Sequence, residues 1–146
     1  MSKLRVNIDD LGWNDYIYYY QNQPFFGIGF ELFENGKIRT ETEFLYGLYH
    51  GVSREWFVNG QLEAEDGYNL GVKHGLCNRW FENGKKKSES EYELGVLIKE
   101  QVWDENGKIV KIFEIKESDG NYEVLLLNRQ KEPQREQMIR KKLGKT

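Results

Sequence analysis

The dipeptide Asn-Gly recurs four times in this chain, with steps of 24, 24 and 23 residues between successive copies. The copies are Asn35-Gly36, Asn59-Gly60, Asn83-Gly84 and Asn106-Gly107. Asn-Gly favours a two-residue type I′ hairpin turn, because both central residues of that turn have positive φ. A constant period of this length is typical of repeat proteins. The chain is therefore predicted to form a series of similar β-hairpins.

The residues that flank each turn repeat with the same period. A large apolar residue comes before each turn, and an aromatic residue and glycines come after it. These positions are Leu32, Trp56, Trp80 and Trp103; Phe44, Tyr68 and Tyr92; Gly47, Gly71 and Gly95; and Gly27, Gly51 and Gly75. The copies at 51–74 and 75–98 match best, whereas the copy that begins at Lys99 lacks its first glycine and one residue.

A two-residue loop at each Asn-Gly sets the cross-strand register. Around the second copy it pairs Phe57 with Leu62, Trp56 with Glu63, and Arg54 with Glu65. Since side chains alternate between the two faces of a strand, two stripes are expected. The expected core stripe is Phe33, Phe57, Phe81, Phe44, Tyr68 and Tyr92, and the expected opposite stripe is Trp56, Trp80 and Trp103 with Arg54 and Arg79.

The two ends of the chain depart from the repeat. Residues 15–20 are predicted to be a strand and 21–24 a turn, so the first hairpin resembles a shortened cap. After the last repeat, strands are expected at Ile109–Ile115 and Tyr122–Leu127, and a helix at Gln134–Leu143. The predicted fold is all-β: an elongated antiparallel sheet of tandem hairpins with a short C-terminal helix.

Charge divides the chain into two parts. Residues 127–146 contain seven Lys or Arg and two Glu, and the remaining residues contain 14 basic and 22 acidic side chains. We therefore distinguish a repeat domain, 1–127, from a basic helix or tail, 128–146. An acidic body disfavours nucleic acid as a partner and favours a basic protein. With one cysteine, no apolar span and no signal sequence, a cytoplasmic protein is expected.

Candidates for catalysis or metal binding all coincide with the repeat. His50 and His74 occupy equivalent positions, and Cys77 is the one further soft ligand nearby. Glu41, Glu65 and Glu89 also recur at the period, which favours a solvated face over a catalytic carboxylate pair. Neither a phosphate-binding loop nor a catalytic triad motif is present. We expect no enzyme activity, no cofactor and no metal.

The repeat is similar to the variant MORN repeats of the bacterial YwqK-type antitoxin family. The resemblance rests on Trp-Phe-x-Asn-Gly at 56–60 and 80–84, on an aromatic residue followed by spaced glycines at 68–75, and on the segment 19–27. It covers about residues 16–112. It implies an antitoxin or immunity protein that neutralises a cognate toxin, and it brings no catalytic residues. Other MORN proteins are scaffolds or bind phospholipids, and this is the alternative reading.

The expected function is therefore binding and blocking of a basic toxin. Trp56, Trp80, Trp103, Arg54 and Arg79 are the expected contact residues, because Trp and Arg are enriched among binding hot spots. The open alternative is that the tryptophans only stack along the sheet. Contact of the basic tail with a membrane, and dimerisation through edge strands, are lesser expectations.

Overall fold

A computed structural model describes residues 2–144 and shows a β-protein with one long helix. Met1 and residues 145–146, which belong to the expected repeat domain and basic tail, lie outside the described residues. The strands are β1 Arg5–Asn7, β2 Gly12–Asn14, β3 Ile17–Tyr20, β4 Gln23–Pro24, β5 Gly27–Leu32, β6 Ile38–Leu45, β7 Leu48–Trp56, β8 Leu62–Asn69, β9 Val72–Trp80, β10 Lys86–Glu93, β11 Val96–Trp103 and β12 Ile109–Glu114. The helix, α1, is Gly120–Leu143.

Nine strands form one sheet in the order β1, β5, β6, β7, β8, β9, β10, β11, β12. The strands from β5 to β12 are antiparallel to their neighbours, which confirms the predicted series of hairpins with a C-terminal helix. At about 4.8 Å per strand step, the sheet is about 38 Å across. One edge differs from the expectation, because β1 pairs with β5 in parallel.

The Asn-Gly turns are hairpin turns, but the predicted turn type is wrong. In the first, the Gly36 N–H donates to the Phe33 carbonyl at 2.9 Å and the Phe33 N–H donates to the Lys37 carbonyl at 2.8 Å. The loop therefore has three residues, with Gly36 at φ 81° and Asn35 outside the positive-φ region. Asn35 contributes through its side chain instead, since its Oδ1 accepts the Lys37 N–H at 3.0 Å.

The extra loop residue shifts the register by one, and a β-bulge then restores it. In the second hairpin Trp56 pairs with Leu62, not with Glu63, so Leu62 shares a face with Trp56 rather than with Ala64. A register shift follows, and the predicted Arg54–Glu65 pair is confirmed. Equivalent shifts occur in the other three hairpins. The bulges explain why a register built on the wrong turn is right for most of each strand.

Two-residue turns with positive φ at both positions lie at the opposite ends of the strands. They are Tyr46-Gly47, Leu70-Gly71 and Leu94-Gly95. Hydrogen bonds join successive repeats at these turns. The N–H group of each of these glycines donates to a carbonyl in the preceding repeat, and the three acceptor residues are also 24 residues apart. The acceptors are the carbonyls of Phe25 at 2.7 Å, Tyr49 at 2.8 Å and Lys73 at 2.8 Å. The second recurring glycine of the repeat therefore marks the type I′ turn.

Helix α1 packs along this row of turns. Asn128 Nδ2 donates to the Leu94 carbonyl at 3.0 Å, and seven residues later Arg135 donates to the carbonyls of Leu70 and Asn69, each at 3.1 Å. Seven helical residues rise about 10.5 Å, and one hairpin advances the sheet by about 9.6 Å. The near match of these two distances lets one helix bond to successive turns.

The helix begins earlier than expected, and the predicted closing strand at Tyr122–Leu127 is wrong. Asp119 precedes the helix in an extended conformation, and the segment that follows is rich in Leu, Glu, Gln, Arg and Lys, which favour helix. Leu125 is 1% exposed, so burial against the body also stabilises this part. The expected domain boundary at 127/128 falls inside the helix.

The buried core lies at the N-terminal end, where a small second sheet packs over the first hairpin. Strands β2, β3 and β4 form that sheet, and its turn at Gln21-Asn22 confirms the predicted shortened hairpin. Val6, Phe25 and Phe44 form the buried cluster, with partly buried aromatic rings around it. Phe44 meets Tyr49 edge to face at 5.0 Å, and Tyr49 meets Tyr68 at 5.3 Å, so the aromatic packing continues into the second hairpin.

Candidate functional site

The register assigns every strand residue of the large sheet to one of two faces. The inner face, on which Phe44, Tyr68 and Tyr92 lie, carries the row Thr42, Ser53, Asp66, Cys77 and Ser90. The outer face carries the row Glu41, Arg54, Glu65, Asn78, Glu89 and Gln101. The inner row is small and mostly buried, whereas the outer row is dominated by charge.

Three tryptophans form a second row on the outer face. Trp56, Trp80 and Trp103 are the last residues of β7, β9 and β11, and all three are half-buried. Their cross-strand partners are Leu62, Lys86 and Ile109. The three tryptophans are thus brought together as predicted, about 10 Å apart, at the end of the sheet that carries the Asn-Gly turns.

The carboxylates of the outer row contact basic side chains of the same face. Arg5 Nη2 lies 2.7 Å from Glu41 Oε2, and Arg54 Nε donates to Glu65 Oε2 at 2.7 Å. At the next carboxylate, Lys86 Nζ lies 3.2 Å from Glu89 Oε2 and 4.9 Å from the centre of the Trp80 ring. The outer face is therefore an alternation of acidic and basic groups beside an aromatic row.

Asn78 interrupts this alternation. It lies in register between Glu65 and Glu89 and is 8% exposed. Its Oδ1 atom is buried and accepts no hydrogen bond from any described residue. A buried acceptor without a partner costs about 1–3 kcal/mol. Asn78 was not among the residues singled out from the sequence, although it lies 24 residues after Arg54 and so occupies the equivalent position in the next repeat.

Arg79 does not lie with the other predicted contact residues. It is adjacent to Asn78 and Trp80 on β9, so its side chain is on the inner face. There it donates to both carboxylate oxygens of Asp66 at 2.7 Å. Burial disfavours ionisation of Asp66, but the hydrogen bonds and charge of Arg79 outweigh it and lower the pKa of that carboxyl below 3.8. The five predicted residues therefore do not form one surface.

The inner face also holds a polar groove of about 240 Å³ beside the N-terminal sheet. Tyr18, Tyr49 and Tyr68 line it, together with Thr42 and Ser53, whose hydroxyls are 2.7 Å apart. Burial raises the pKa of Tyr68 to about 12, and it raises the pKa of Tyr49 further. Burial also raises the pKa of the Cys77 thiol, which lies in the same row. These groups stay protonated at neutral pH and act as neutral hydrogen-bonding groups.

The two histidines have a structural contact in the repeat. His50 Nδ1 accepts the backbone N–H of Leu70 at 3.3 Å, and His74 Nδ1 accepts that of Leu94 at 3.2 Å. Each histidine thereby bonds to the first residue of the following type I′ turn. Within residues 2–144, no cluster of three or more His, Cys, Asp or Glu side chains is placed to hold a metal ion.

Two basic residues of the C-terminal segment join α1 to the body, and a third forms a pair within the helix. Arg129 donates to both oxygens of Glu93 at 2.6 and 2.8 Å, Arg135 bonds to the Leu70 turn, and Arg140 bonds to Glu136. No helix formed by the described part of the chain is both long and apolar enough to cross a membrane.

Two surfaces were not anticipated from the sequence. Trp13 and Tyr16, on the small sheet, are 61% and 81% exposed and meet edge to face at 5.9 Å. An apolar groove of about 420 Å³ lies between this hairpin and α1, with Leu48, Leu70 and Ile139 in its lining. Both depend on the position of the N-terminal sheet, which no local pattern specifies.

Comparison with known proteins identifies no family for this arrangement. No protein-family model matches the chain, and no curated protein or solved structure shows significant similarity to it. The resemblance to MORN repeats therefore stays a prediction, and it rests on the repeated residues themselves.

Proposed function

We propose that this chain is a non-enzymatic protein-binding module of the antitoxin or immunity class, which binds a cognate bacterial toxin in the cytoplasm and blocks it by occlusion. The observation that carries the proposal is the pair of adjacent stripes on the outer face. One stripe holds the half-buried Trp56, Trp80 and Trp103, and the other holds Glu41, Glu65 and Glu89 at the same spacing.

The two stripes complement a basic protein that also presents apolar groups. Outside residues 127–146 the chain carries 14 basic and 22 acidic side chains, so long-range attraction would speed the approach of such a partner. Half-buried tryptophans at the turn end of a sheet offer large, rigid contact areas, which is the usual character of interface anchors. The structural alternative, in which the tryptophans only pack along the sheet, predicts a different outcome for their substitution.

The test begins with the protein encoded beside this one. It should arrest growth when expressed alone, and co-expression of this chain should relieve the arrest. Calorimetry should then show that Trp80→Ala weakens binding by at least about 2 kcal/mol, roughly 30-fold, as for a hot-spot residue. Trp13→Ala is the matched control, because Trp13 is exposed on the separate small sheet. Unchanged affinity of folded Trp80→Ala, together with a lower Tm, would assign the row a packing role only.

The scaffold or membrane-peripheral alternative has less support. Arg129 and Arg135 of the basic segment contact Glu93 and the Leu70 turn, so these charges are not available to a lipid surface while the helix is docked. Flotation with vesicles containing anionic lipid tests it. Flotation that depends on α1 would favour this alternative over toxin binding.

A further inference from the structure

Strand β12 is the last strand of the large sheet and has one neighbour, whereas the equivalent strands of the earlier repeats have two. In β8, for example, Glu65 pairs with Arg54 on one side and with Asn78 on the other. The equivalent residue of β12 is Ile112, which pairs with Gln101 of β11 alone. Within the described residues, the repeat therefore leaves one strand position open beside β12.

The sequence of β12 differs from the repeat where the strand becomes an edge. Val110 and Ile112 take two positions that hold charged residues in every earlier repeat, and both lie on the outer face. They are 59% and 72% exposed. Charged side chains normally protect a free edge from pairing, so apolar residues at these positions favour an edge that pairs. The charged residues that they replace are Arg39, Glu63 and Lys87, and Glu41, Glu65 and Glu89.

Backbone groups of β12 face the open strand position. The Ile115 N–H donates to the Ile98 carbonyl of β11 at 2.8 Å. The backbone groups of successive residues in a strand point to opposite sides, so those of Glu114 and Ile112 point away from β11. These N–H and C=O groups can form a ladder with an added antiparallel strand.

The opposite edge of the sheet is less suited to pairing. Strand β1 has only three residues, Arg5–Asn7. Arg5 and the preceding Lys3 pair with Glu41 and Glu43 of the neighbouring hairpin. Since a short and charged edge resists the addition of a strand, the expected dimerisation through edge strands is assigned to β12.

Strand β12 is complementary to a second copy of itself in antiparallel orientation. Lys108 precedes the strand and Glu114 ends it, so pairing about the middle of β12 places each lysine beside the glutamate of the other copy. The side chain of Glu114 is 67% exposed beside its 3.5 Å contact with Lys99, so a second cation can reach it. Lys111, in the middle of the strand, already pairs with Glu100 of β11, which balances its charge.

We propose that β12 pairs antiparallel with β12 of a second copy of this chain, across a two-fold axis near Ile112. Val110 and Ile112 of the two copies then pack together on the outer face, and both tryptophan rows lie on the same side of one continuous sheet. A six-residue edge buries less than about 1,200 Å², so the dimer is weak. The inference does not depend on the proposed function, because the partner is the chain itself.

Sedimentation equilibrium of the full chain, at concentrations up to about 300 µM because small interfaces bind weakly, tests the proposal. The apparent mass should rise from that of a monomer towards that of a dimer. Ile112→Glu restores the residue of the earlier repeats at an exposed position, so it should fold normally and weaken self-association at least tenfold. Val58→Glu is the matched control: Val58 is 53% exposed at a distant turn, and self-association should change less than twofold.

Exchange of the two end charges tests the orientation of the strands. Lys108→Glu and Glu114→Lys should each weaken self-association at least threefold, because each places like charges side by side. The double variant, Lys108→Glu with Glu114→Lys, should restore it, since opposite charges meet again at both ends. In a parallel pair each residue would face its own copy, and the single variants would have no such effect.

The proposal is overturned if the wild-type chain stays monomeric at every concentration, if Ile112→Glu associates as strongly as Val58→Glu, or if the double variant does not recover. Should Ile112→Glu fail to fold, Val110→Lys, which restores the residue type of Lys87, takes its place. A monomeric chain whose affinity for a toxin falls on Ile112→Glu substitution would assign this edge to a strand of the toxin and reject self-pairing. A dimer that neutralises no toxin supports this inference and rejects the proposed function.

Discussion

Arg79 and Asp66 form a two-point ion pair between neighbouring strands of the inner face, with Nη1–Oδ1 and Nη2–Oδ2 distances of 2.7 Å. The Asp66 side chain is 11% exposed, and Lys73 Nζ lies 3.4 Å from its Oδ2. Two parallel hydrogen bonds fix the relative orientation of the two side chains, which a single contact does not. Loss of its cation would leave a nearly buried carboxylate with only the more distant Lys73.

Arg79→Gln should lower the free energy of unfolding by about 2–3 kcal/mol, because removing one member of this partly buried pair leaves the nearly buried Asp66 carboxylate without its main partner. Arg54→Gln is the control, since the Arg54–Glu65 pair is more exposed and should cost about 1 kcal/mol or less. Urea unfolding at neutral pH measures both. Equal costs would contradict the assignment of Arg79 to the buried face.

The same ion pair predicts a pH dependence. The folded-state pKa of Asp66 is lowered below 3.8, so its contribution to stability is present above that value and is lost as pH falls through the folded-state pKa. Asp66→Asn removes the titrating group. The stability difference between wild type and Asp66→Asn should be constant from pH 6 to 5 and should shrink towards pH 2.5. A difference that does not change over this range would mean that Asp66 titrates normally.

The two histidines provide a matched pair of substitutions. His50→Ala should cost about 1–2 kcal/mol of stability, because it leaves the N–H of the buried Leu70 without its acceptor. His74→Ala removes the equivalent bond to Leu94 at an exposed site and should cost less than half as much, because water replaces the acceptor there. Thermal unfolding of both variants checks the order. The reverse order would rule out burial of the turn N–H as the cause.

Helix α1 should detach when its contact with the Leu70 turn is weakened. Arg135→Lys loses the forked donation to the carbonyls of Leu70 and Asn69, which a single ammonium does not reproduce. We expect faster amide hydrogen exchange throughout 120–143. Arg140→Lys changes an exposed pair within the helix and should leave the exchange rates of the first half unchanged. Similar rates in the two variants would show that Arg135 does not hold the helix in place.

The fold could be predicted from the sequence wherever a local signal recurs. The 24-residue period located the hairpins, and the Arg54–Glu65 pair followed from counting out from Asn59-Gly60. The turn type was wrong, because Asn-Gly also suits a three-residue loop in which only the glycine has positive φ. The error did not spread along the strand, since the bulge after Leu62 restored the register.

The candidate site was predictable in part for the same reason. The tryptophan row follows from the repeat, and the opposite placement of Arg79 was readable from strict alternation, because Arg79 and Trp80 are adjacent. The absence of a hydrogen-bond partner for Asn78 Oδ1 could not be predicted from the sequence, since it depends on which side chains from β8 and β10 approach this atom. Burial and missing partners are properties of packing across strands.

By itself, the sequence determined the number, spacing and order of the hairpins, because turn chemistry and side-chain alternation act over a few residues. Only the tertiary structure decided that Leu125, in the segment predicted to be a closing strand, is a buried residue of a helix, 1% exposed. It also decided that Arg79 pairs with Asp66 and that Asn78 has no donor. These outcomes depend on contacts between segments far apart in the chain, and no local pattern encodes their distances.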